Sequence, residues 1–233
     1  MPKKAAASKV NIAELKKKVL IRFGLAPIAL GLFLFLPAGS IDYWHAWLYC
    51  AILFIPMLFV VAYFLKNDPA LLERRMHMRE KERAQKKFVK IGYVIFLLGF
   101  IIPGLDYRFG WSNMPSELAL FSDLMVLLGY IGFFLVMKEN SYASRVIEVE
   151  KGQKVISTGP YAVVRHPMYA AILPLWLFTP LALGSYWALI PFLPIIPLLV
   201  YRLQNEEKML LKGLGGYKEY CKKIRYRLIP YVW

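Results

Sequence analysis

Apolar residues dominate six stretches of the chain, and short polar or basic segments separate them. A helix of roughly 20 predominantly apolar residues is needed to cross the hydrocarbon core of a bilayer. The six stretches approach or exceed that length. They are Val19–Leu36, Tyr43–Leu65, Phe88–Ile102, Leu118–Met137, Met168–Leu183 and Tyr186–Leu203. The pattern predicts an all-α, multi-pass integral membrane helical bundle with about six transmembrane helices.

The last two apolar stretches are predicted to form a hairpin. The run Met168–Tyr201 contains no charged residue, and a Gly-Ser pair at 184–185 turns the chain near its middle. If the first stretch enters the membrane and the second returns, both of its ends lie on one side. We therefore expect the polar cluster Lys154–Tyr169 to meet the polar cluster Arg202–Glu207. Prolines interrupt both stretches, so five or six crossing helices are predicted.

The basic residues support this topology. The chain of 233 residues is 58% hydrophobic and has a formal net charge of +15. In a soluble protein such a charge would suggest a nucleic-acid surface, but here the charges bracket the apolar stretches. Of the 30 Lys and Arg residues, 29 lie in segments 1–22, 66–90, 138–167 and 202–227, with Arg108 as the exception. With six spans and both termini cytoplasmic, all four segments are cytoplasmic, as the positive-inside rule requires. We expect no nucleic-acid partner.

A single membrane domain, 1–233, is expected to contain two functional parts. Residues 1–137 would form a scaffold of four spans with an amphipathic cytoplasmic connector, 66–90. Its sequence Asn67-Asp68-Pro69 predicts a helix start, and its charges are interpreted as solvated or in contact with phospholipid. Residues 138–233 would form the catalytic region, with the two-span hairpin and a basic C-terminal tail. No spacing of ligand residues indicates a metal site.

The first polar cluster has features of a ligand site. Pro167 disfavours a helical backbone at His166 and is itself suited to the first position of a helix, so His166 should lie at the mouth of the fifth span. The free amides of that first turn, together with Arg165, favour an anion. Gly159 permits close approach of the backbone to a ligand. Tyr161 and Tyr169 offer flat amphipathic walls. This cluster could hold a ligand with a carboxylate and an aromatic base.

The second polar cluster supplies the opposite charge. Arg202 and Glu206 share a helix face, and Glu207 projects about 100° away. Adjacent carboxylates at a membrane boundary are costly unless they are paired or bind a cation. The cluster is therefore either an ion pair at a helix end or a site for a cationic cofactor or substrate, with Arg202 placed for an anionic partner. Arg202, Glu206 and Glu207 are the candidate catalytic residues.

The two clusters together resemble a known family. The pattern Gly159-x-Tyr161-x3-Arg165-His166-Pro167-x-Tyr169, followed by Arg202-x3-Glu206-Glu207, is similar to that of the isoprenylcysteine carboxyl methyltransferases and of their phospholipid and prokaryotic methyltransferase relatives. The resemblance is strong from about Lys138 onwards and also touches Asn67–Arg75. It implies a membrane-embedded S-adenosylmethionine site without a Rossmann sheet, and the chain has no glycine-rich strand–helix unit.

The resemblance also implies roles for individual residues. Arg202 would orient the methyl acceptor. A carboxylate acceptor is already ionised at neutral pH and needs no general base, whereas an amine acceptor must lose a proton, for which Glu207 is the candidate. Gly159 and Arg165 join the cofactor-binding set on the argument given above. The residues that the family motif places at the cofactor are Gln153, Lys154, Val155, Ile156, Tyr161, His166, Pro167, Met168, Tyr169 and Glu206.

Two further functions stay open at this point. The tail Tyr217-x2-Tyr220-Cys221-x3-Arg225-Tyr226-Arg227-Leu228-Ile229-Pro230 is also similar to the end of the sterol reductases, which share this architecture and use NADPH. Those proteins usually show Asn in the position of Met168 and lack the Glu206-Glu207 pair. A transporter or scaffold is the other alternative, but the spans carry few ionisable residues to line a path.

The expected partners and location follow from the methyltransferase interpretation. The acceptor would be lipophilic, either prenylated or otherwise lipid-like, and membrane lipids would surround the site. The active site would face the cytoplasm from a bacterial or archaeal inner membrane, or from the endoplasmic reticulum in a eukaryote.

Overall fold

The chain folds into helices. A computed structural model describes residues 10–76, 83–143, 149 and 152–233, and of 83–88 it describes the backbone alone. Throughout these ranges no β-strand occurs, and a 3-10 turn, Gly159–Ala162, precedes the sixth α-helix. The α-helices are α1 (Ile12–Ala38), α2 (Trp44–Asn67), α3 (Pro69–Met76), α4 (Arg83–Phe109), α5 (Ser116–Glu139), α6 (Pro167–Ala182), α7 (Leu189–Phe192), α8 (Ile195–Gly213) and α9 (Tyr217–Lys223).

Four of these helices are long and apolar enough to cross a membrane. They are α1, α2, α4 from Val89 onwards, and α5; the apolar α6 is shorter, with 16 residues. The predicted all-α, multi-pass membrane bundle is confirmed. Most large apolar side chains on the outer faces of α1, α2 and α5 are exposed, as expected of surfaces that face lipid.

The structure differs from the sequence interpretation at two helices. The predicted sixth span, Tyr186–Leu203, is divided between α7 and α8. Pro194 and Pro197 have no backbone N–H and cannot donate the hydrogen bonds that would continue one helix through this point. Helix α8 then continues to Gly213, well beyond the apolar stretch. Helix α4 does not end at Ile102, where the third apolar stretch ends, but continues to Phe109. A Cβ on Gly104 would lie 2.5 Å from the carbonyl oxygen of Leu34, so α4 packs tightly against α1 just after Pro103.

Small residues set the contact between α5 and α6, which pack closely along their lengths. A Cβ on Gly129 would lie 2.8 Å from the carbonyl oxygen of Ala171, and one on Gly132 would lie 3.2 Å from the Ala171 Cβ. Close approach of this kind is how helices associate in lipid, where burial of apolar surface alone gives no driving force. The contact holds α6, and hence its first turn, against a long helix of the bundle.

The two ends of the bundle have different chemistry. At one end, buried Asp106 accepts hydrogen bonds from the Ser112 amide (2.7 Å), the Ser112 hydroxyl (2.6 Å) and the Ser185 hydroxyl. At the opposite end, Arg22 donates to the carbonyl oxygen of Met76 (2.7 Å). That second end also holds the C-terminus of α5 and the first turn of α6, and the polar clusters lie there.

Helix α3 is packed into the bundle rather than lying on a solvated surface, which corrects the interpretation of its charges. Asp68 accepts a hydrogen bond from the Leu71 amide (3.0 Å), and Pro69 is the first helical residue, so the predicted helix start is confirmed. Leu71, Leu72 and Met76 are buried against apolar residues of α1, α2 and α5. The two arginines of its last turn, Arg74 and Arg75, consequently face neighbouring elements.

Candidate functional site

Tyr169, Glu206 and Arg202 join the first turn of α6 to α8. The Tyr169 hydroxyl donates to Glu206 Oε2 at 2.5 Å and accepts from Arg202 Nε at 3.3 Å. Arg202 is only 8% exposed. Arg202 and Glu206 are four residues apart on one helix face, so a single tyrosine can contact both. The two polar clusters therefore meet at one end of the hairpin, as their positions along the chain predicted.

Glu207 lies at the centre of a second group, the Glu207 cluster, which also contains Arg165, His166 and Arg227. Its Oε1 accepts from Arg165 Nη1 at 2.8 Å and lies 3.3 Å from His166 Nε2, while its Oε2 accepts from Arg227 Nε at 2.8 Å. Glu207 is 6% exposed and His166 is 4% exposed. Both carboxylate oxygens are thus engaged by basic groups, and the carboxylate itself is buried.

The environment of Glu207 makes it a weak base. Burial by itself raises the pKa of this carboxyl, but hydrogen bonds from His166 and Arg227, together with the charges of His166 and Arg165, outweigh burial and lower the pKa to about 2. A carboxylate with this pKa gives up its hydrogen-bond partners only at a high cost. The geometry therefore indicates that Glu207 positions its three neighbours, and it disfavours the role of proton acceptor.

The C-terminal tail pairs with the residues before α6. The Arg165 amide donates to the carbonyl oxygen of Tyr226 and the His166 amide donates to that of Arg227, both at 2.9 Å. The Arg227 guanidinium also lies over the Trp233 ring, 5.2 Å from its centroid. Sequence reasoning did not single out Arg227 as a site residue. Its place in the tail motif was the one sequence feature that pointed to it. The backbone pairing of the tail with residues 165–166 joins segments about 60 residues apart, so no local pattern reveals it.

Tyr161 is fixed on both sides within the 3-10 turn. Its hydroxyl accepts from Asn140 Nδ2 at 2.8 Å, and its carbonyl oxygen accepts from the Tyr220 hydroxyl at 2.8 Å. Burial is the main cause that raises the pKa of Tyr161 to about 12; the Asn140 hydrogen bond and the charge of Arg75 oppose it, whereas the charge of Glu206 adds to it. The phenol therefore stays protonated at neutral pH.

Gly159 opens the same turn in a conformation that favours glycine. Its φ is +55°, and a Cβ there would lie 3.0 Å from Glu139 Cδ. The Thr158 hydroxyl donates to Glu139 Oε1 beside it. Gly159 thus lets the turn approach the end of α5, which carries Asn140 to Tyr161.

Arg75 brings α3 to the first turn of α6. Its Nη1 lies 3.5 Å from Met168 Sδ, and its guanidinium lies over the Phe133 ring, 5.1 Å from the centroid. Neighbouring Arg74 donates to the carbonyl oxygen of Ser141. Sequence reasoning missed Arg75 because its charge is typical of a connector, and only the extension of the resemblance to Asn67–Arg75 pointed to this segment.

The remaining predicted site residues precede the turn. Lys154 is exposed, while Gln153, Val155 and Ile156 are half-buried. Val155 packs beside the apolar cluster of Leu214, Tyr217, Tyr220 and Ile224. Pro167 is buried as the first residue of α6, and His166 occupies the N-cap position without a capping hydrogen bond from its side chain. The cofactor contacts of this segment stay predictions, and residues 144–148 and 150–151 lie outside the described part of the chain.

Comparison with known proteins gives two kinds of similarity. Residues 122–212 match the model of the isoprenylcysteine carboxyl methyltransferase (ICMT) family, which confirms the resemblance seen in the sequence over α5 to α8. Delta(14)-sterol reductase TM7SF2 from Mus musculus is 30% identical over 138 residues, covering 51% of this chain and 33% of that protein. Delta(14)-sterol reductase erg24 from Schizosaccharomyces pombe is 26% identical over 140 residues, covering 51% of this chain and 32% of that protein.

These similarities have a limited reach. The chain spans about a third of the length of these two curated relatives. The family match lies across the helices that carry Tyr169, Arg202, Glu206 and Glu207, and it supports a membrane methyltransferase.

Proposed function

We propose that this chain is an integral membrane methyltransferase that uses S-adenosylmethionine to methylate a lipophilic acceptor, with a carboxylate as the acceptor group. The observation that carries the proposal is the joining of Glu206 and Arg202 through Tyr169 at the first turn of α6, within the region that matches the methyltransferase family. The site therefore presents a carboxylate and a guanidinium on one helix face.

The residues at the site fit this cofactor chemically. The amino group and the sulfonium of S-adenosylmethionine are cationic, and Glu206 offers a carboxylate in a partly buried position where charge-assisted hydrogen bonds are strong. The half-buried rings of Tyr161 and Tyr169 would provide flat surfaces for an aromatic base. When bound, the cofactor would supply the methyl group of its sulfonium, and its sulfur would become a neutral thioether as the methyl group passes to the acceptor. Gln153, Lys154, Val155, Ile156 and the first turn of α6 would line the rest of its site.

Arg202 is placed to hold the acceptor. It is the first charged residue after the run Met168–Tyr201, so it lies where α8 leaves its apolar part. An acceptor with an apolar tail can stay in the lipid while its carboxylate contacts the planar guanidinium. Prenylated or other lipid-like carboxylic acids have this shape. Positioning and removal of water then accelerate an in-line methyl transfer without a proton acceptor.

The Glu207 cluster favours a carboxylate acceptor over an amine. An amine must lose a proton before or during methyl transfer, which requires a base. Glu207 was the candidate for that role, but both its oxygens are engaged by basic groups and its pKa is lowered to about 2. A phospholipid N-methyltransferase is therefore less well supported than a carboxyl methyltransferase.

A reductase is the second candidate function. The similarity to two sterol reductases over about half of this chain favours it, and such an enzyme would use NADPH. Two features of this chain oppose it. Met168 stands where the reductases usually show Asn, and the Glu206-Glu207 pair is one they lack.

The proposal is tested by following a labelled methyl group. The full chain in detergent or nanodiscs is incubated with S-adenosylmethionine carrying a tritiated methyl group and with lipid extract from the expression host. We expect label in the lipid fraction, released as volatile methanol by mild base, since base hydrolyses methyl esters and leaves N-methyl groups intact. Base-stable label would indicate an amine acceptor. Absence of label combined with NADPH oxidation upon addition of a sterol would support the reductase instead.

A further inference from the structure

Arg75 and Arg202 approach the first turn of α6 through different residues. Arg75 comes from the last turn of α3 and contacts Met168, whereas Arg202 comes from α8 and contacts Tyr169. Stacking on Phe133 of α5 holds the Arg75 guanidinium in its place. Arg75 and Arg202 therefore reach the same turn, and each is carried by a different helix.

Arg75 and Glu206 bring opposite charges to the first turn of α6. Arg75 Nη1 lies 3.5 Å from Met168 Sδ, and Glu206 Oε2 accepts from the hydroxyl of the next residue, Tyr169, at 2.5 Å. In agreement with this geometry, the charge of Arg75 lowers the pKa of the Tyr161 phenol and the charge of Glu206 raises it. A cation and an anion at two consecutive residues have the charge pattern that complements a zwitterionic amino-acid group.

We propose that Arg75 and Glu206 form a subsite for the α-amino-acid part of the cofactor, with the carboxylate on Arg75 and the ammonium group on Glu206. This inference rests on the proposed use of S-adenosylmethionine. Arginine suits the role because its planar fork binds a carboxylate through two parallel hydrogen bonds. The subsite leaves Arg202, on the Tyr169 side, to the acceptor.

A carboxylate at Arg75 could come from the cofactor or from the acceptor. Arg75 contacts Met168, and its charge lowers the pKa of Tyr161. Both residues belong to those that the family motif places at the cofactor. Arg202 donates to the Tyr169 hydroxyl and lies on α8, next to the end of the charge-free run. These positions assign the cofactor's carboxylate to Arg75, and the experiment below separates the two sources.

The subsite is tested by removing the carboxylate from the ligand and the guanidinium from the protein. Binding of S-adenosylmethionine and of decarboxylated S-adenosylmethionine is measured by calorimetry on the wild-type chain, on Arg75→Gln and on Arg75→Lys, without acceptor. The wild type should prefer the intact cofactor by about tenfold or more, as expected for one charge-assisted contact. Arg75→Gln should lose this preference and leave the affinity for the decarboxylated cofactor unchanged. Arg75→Lys should keep part of it.

Arg108→Gln is the matched control, because Arg108 is an exposed arginine at the opposite end of the bundle. It should keep the full preference. Equal losses for both cofactors in Arg75→Gln and Arg75→Lys would mean a structural role and would overturn the proposal. An unchanged cofactor preference with a raised KM for the acceptor would assign the acceptor's carboxylate to Arg75 and also overturn it. If the wild type binds neither cofactor, the proposed function itself fails, which is a distinct result.

Discussion

The Tyr169 hydroxyl donates a 2.5 Å hydrogen bond to Glu206 and so joins the beginning of α6 to the middle of α8. The same oxygen accepts from Arg202. A phenol that contacts both a carboxylate and a guanidinium fixes their relative positions. Two opposite charges four residues apart on α8 thus contact one phenol, and we assign each of them to a different ligand.

Glu206→Gln tests the cofactor role of the carboxylate. The substitution keeps the size of the side chain and removes its charge. Loss of a charge-assisted hydrogen bond worth ~1.5 kcal/mol should weaken S-adenosylhomocysteine binding about tenfold. Glu219→Gln, an exposed residue of α9, is the control and should bind normally. Unchanged affinity in Glu206→Gln would remove Glu206 from the cofactor site.

Arg202→Lys should separate turnover from cofactor binding. Lysine keeps the charge but cannot hold a carboxylate in two parallel hydrogen bonds, so the single-turnover rate should collapse while cofactor affinity stays nearly intact. Arg108→Lys is the control for loss of an arginine elsewhere. If Arg202 and Glu206 served only as an ion pair, both variants would lower the melting temperature alike and leave the folded fraction fully active.

Glu207→Gln should lower the stability of the fold at neutral pH and make that stability less dependent on pH in the acid range. Removing one partner of a buried ion pair costs about 3 kcal/mol, since Arg165 and Arg227 are left beside a neutral amide. The pKa of Glu207 in the folded chain, about 2, is below its ordinary value of 4.5. The ionised carboxylate therefore stabilises the fold fully above pH 4.5, and this contribution is lost as the pH falls towards 2.

The measurement for Glu207 is the melting temperature as a function of pH. The wild type should lose stability as the pH falls below about 4.5, and Glu207→Gln should start lower at neutral pH and change less on acidification. If Glu207 only positions its neighbours, methyl transfer by the folded fraction should not acquire a new pH dependence. A variant that is as stable as the wild type but inactive would restore Glu207 as a proton acceptor.

Membrane sidedness is tested by cysteine labelling. In a chain with Cys50 and Cys221 replaced by alanine, Asn113→Cys lies at the Asp106 end and Lys218→Cys lies at the end with the candidate site, and both positions are exposed. The positive-inside rule predicts that an impermeant maleimide outside intact cells labels position 113 and leaves position 218 unlabelled until lysis. Labelling in the reverse order would invert the topology.

Asp123→Leu should stabilise the bundle. Asp123 is 2% exposed in α5, and its carboxyl oxygens have no hydrogen-bond partner among the described residues. Burying a polar group without a partner costs about 1–3 kcal/mol, so an apolar replacement should raise the melting temperature, whereas Asp123→Asn should not. A lower melting temperature or a loss of methyl transfer in Asp123→Leu would indicate that Asp123 holds a ligand or takes part in function.

The hairpin and the meeting of the two polar clusters could be predicted because their signals are local. Pro167 marks the first residue of α6, and a run without charges separates the clusters. The division of the sixth span was harder to predict, since prolines in membrane helices produce either a kink or a break, and the surrounding packing decides which.

The residues that sequence reasoning missed lie far apart along the chain. Arg75, Asn140 and Arg227 reach the site from α3, from the end of α5 and from the tail. Each carries no local pattern that distinguishes it from a surface residue. Their contribution depends on the burial of Leu71 and Leu72 and on tail pairing, which are tertiary contacts that periodicity does not encode.

Calorimetric titration of the purified full chain with S-adenosylhomocysteine and, separately, with NADPH tests the central claim most directly. Because the Glu206 carboxylate of α8 is held against the first turn of α6 by Tyr169, we expect saturable binding of S-adenosylhomocysteine that is tighter than any binding of NADPH. Glu206→Gln should reduce the affinity for S-adenosylhomocysteine about tenfold. Tight binding of NADPH without binding of S-adenosylhomocysteine would contradict the methyltransferase account and support a reductase.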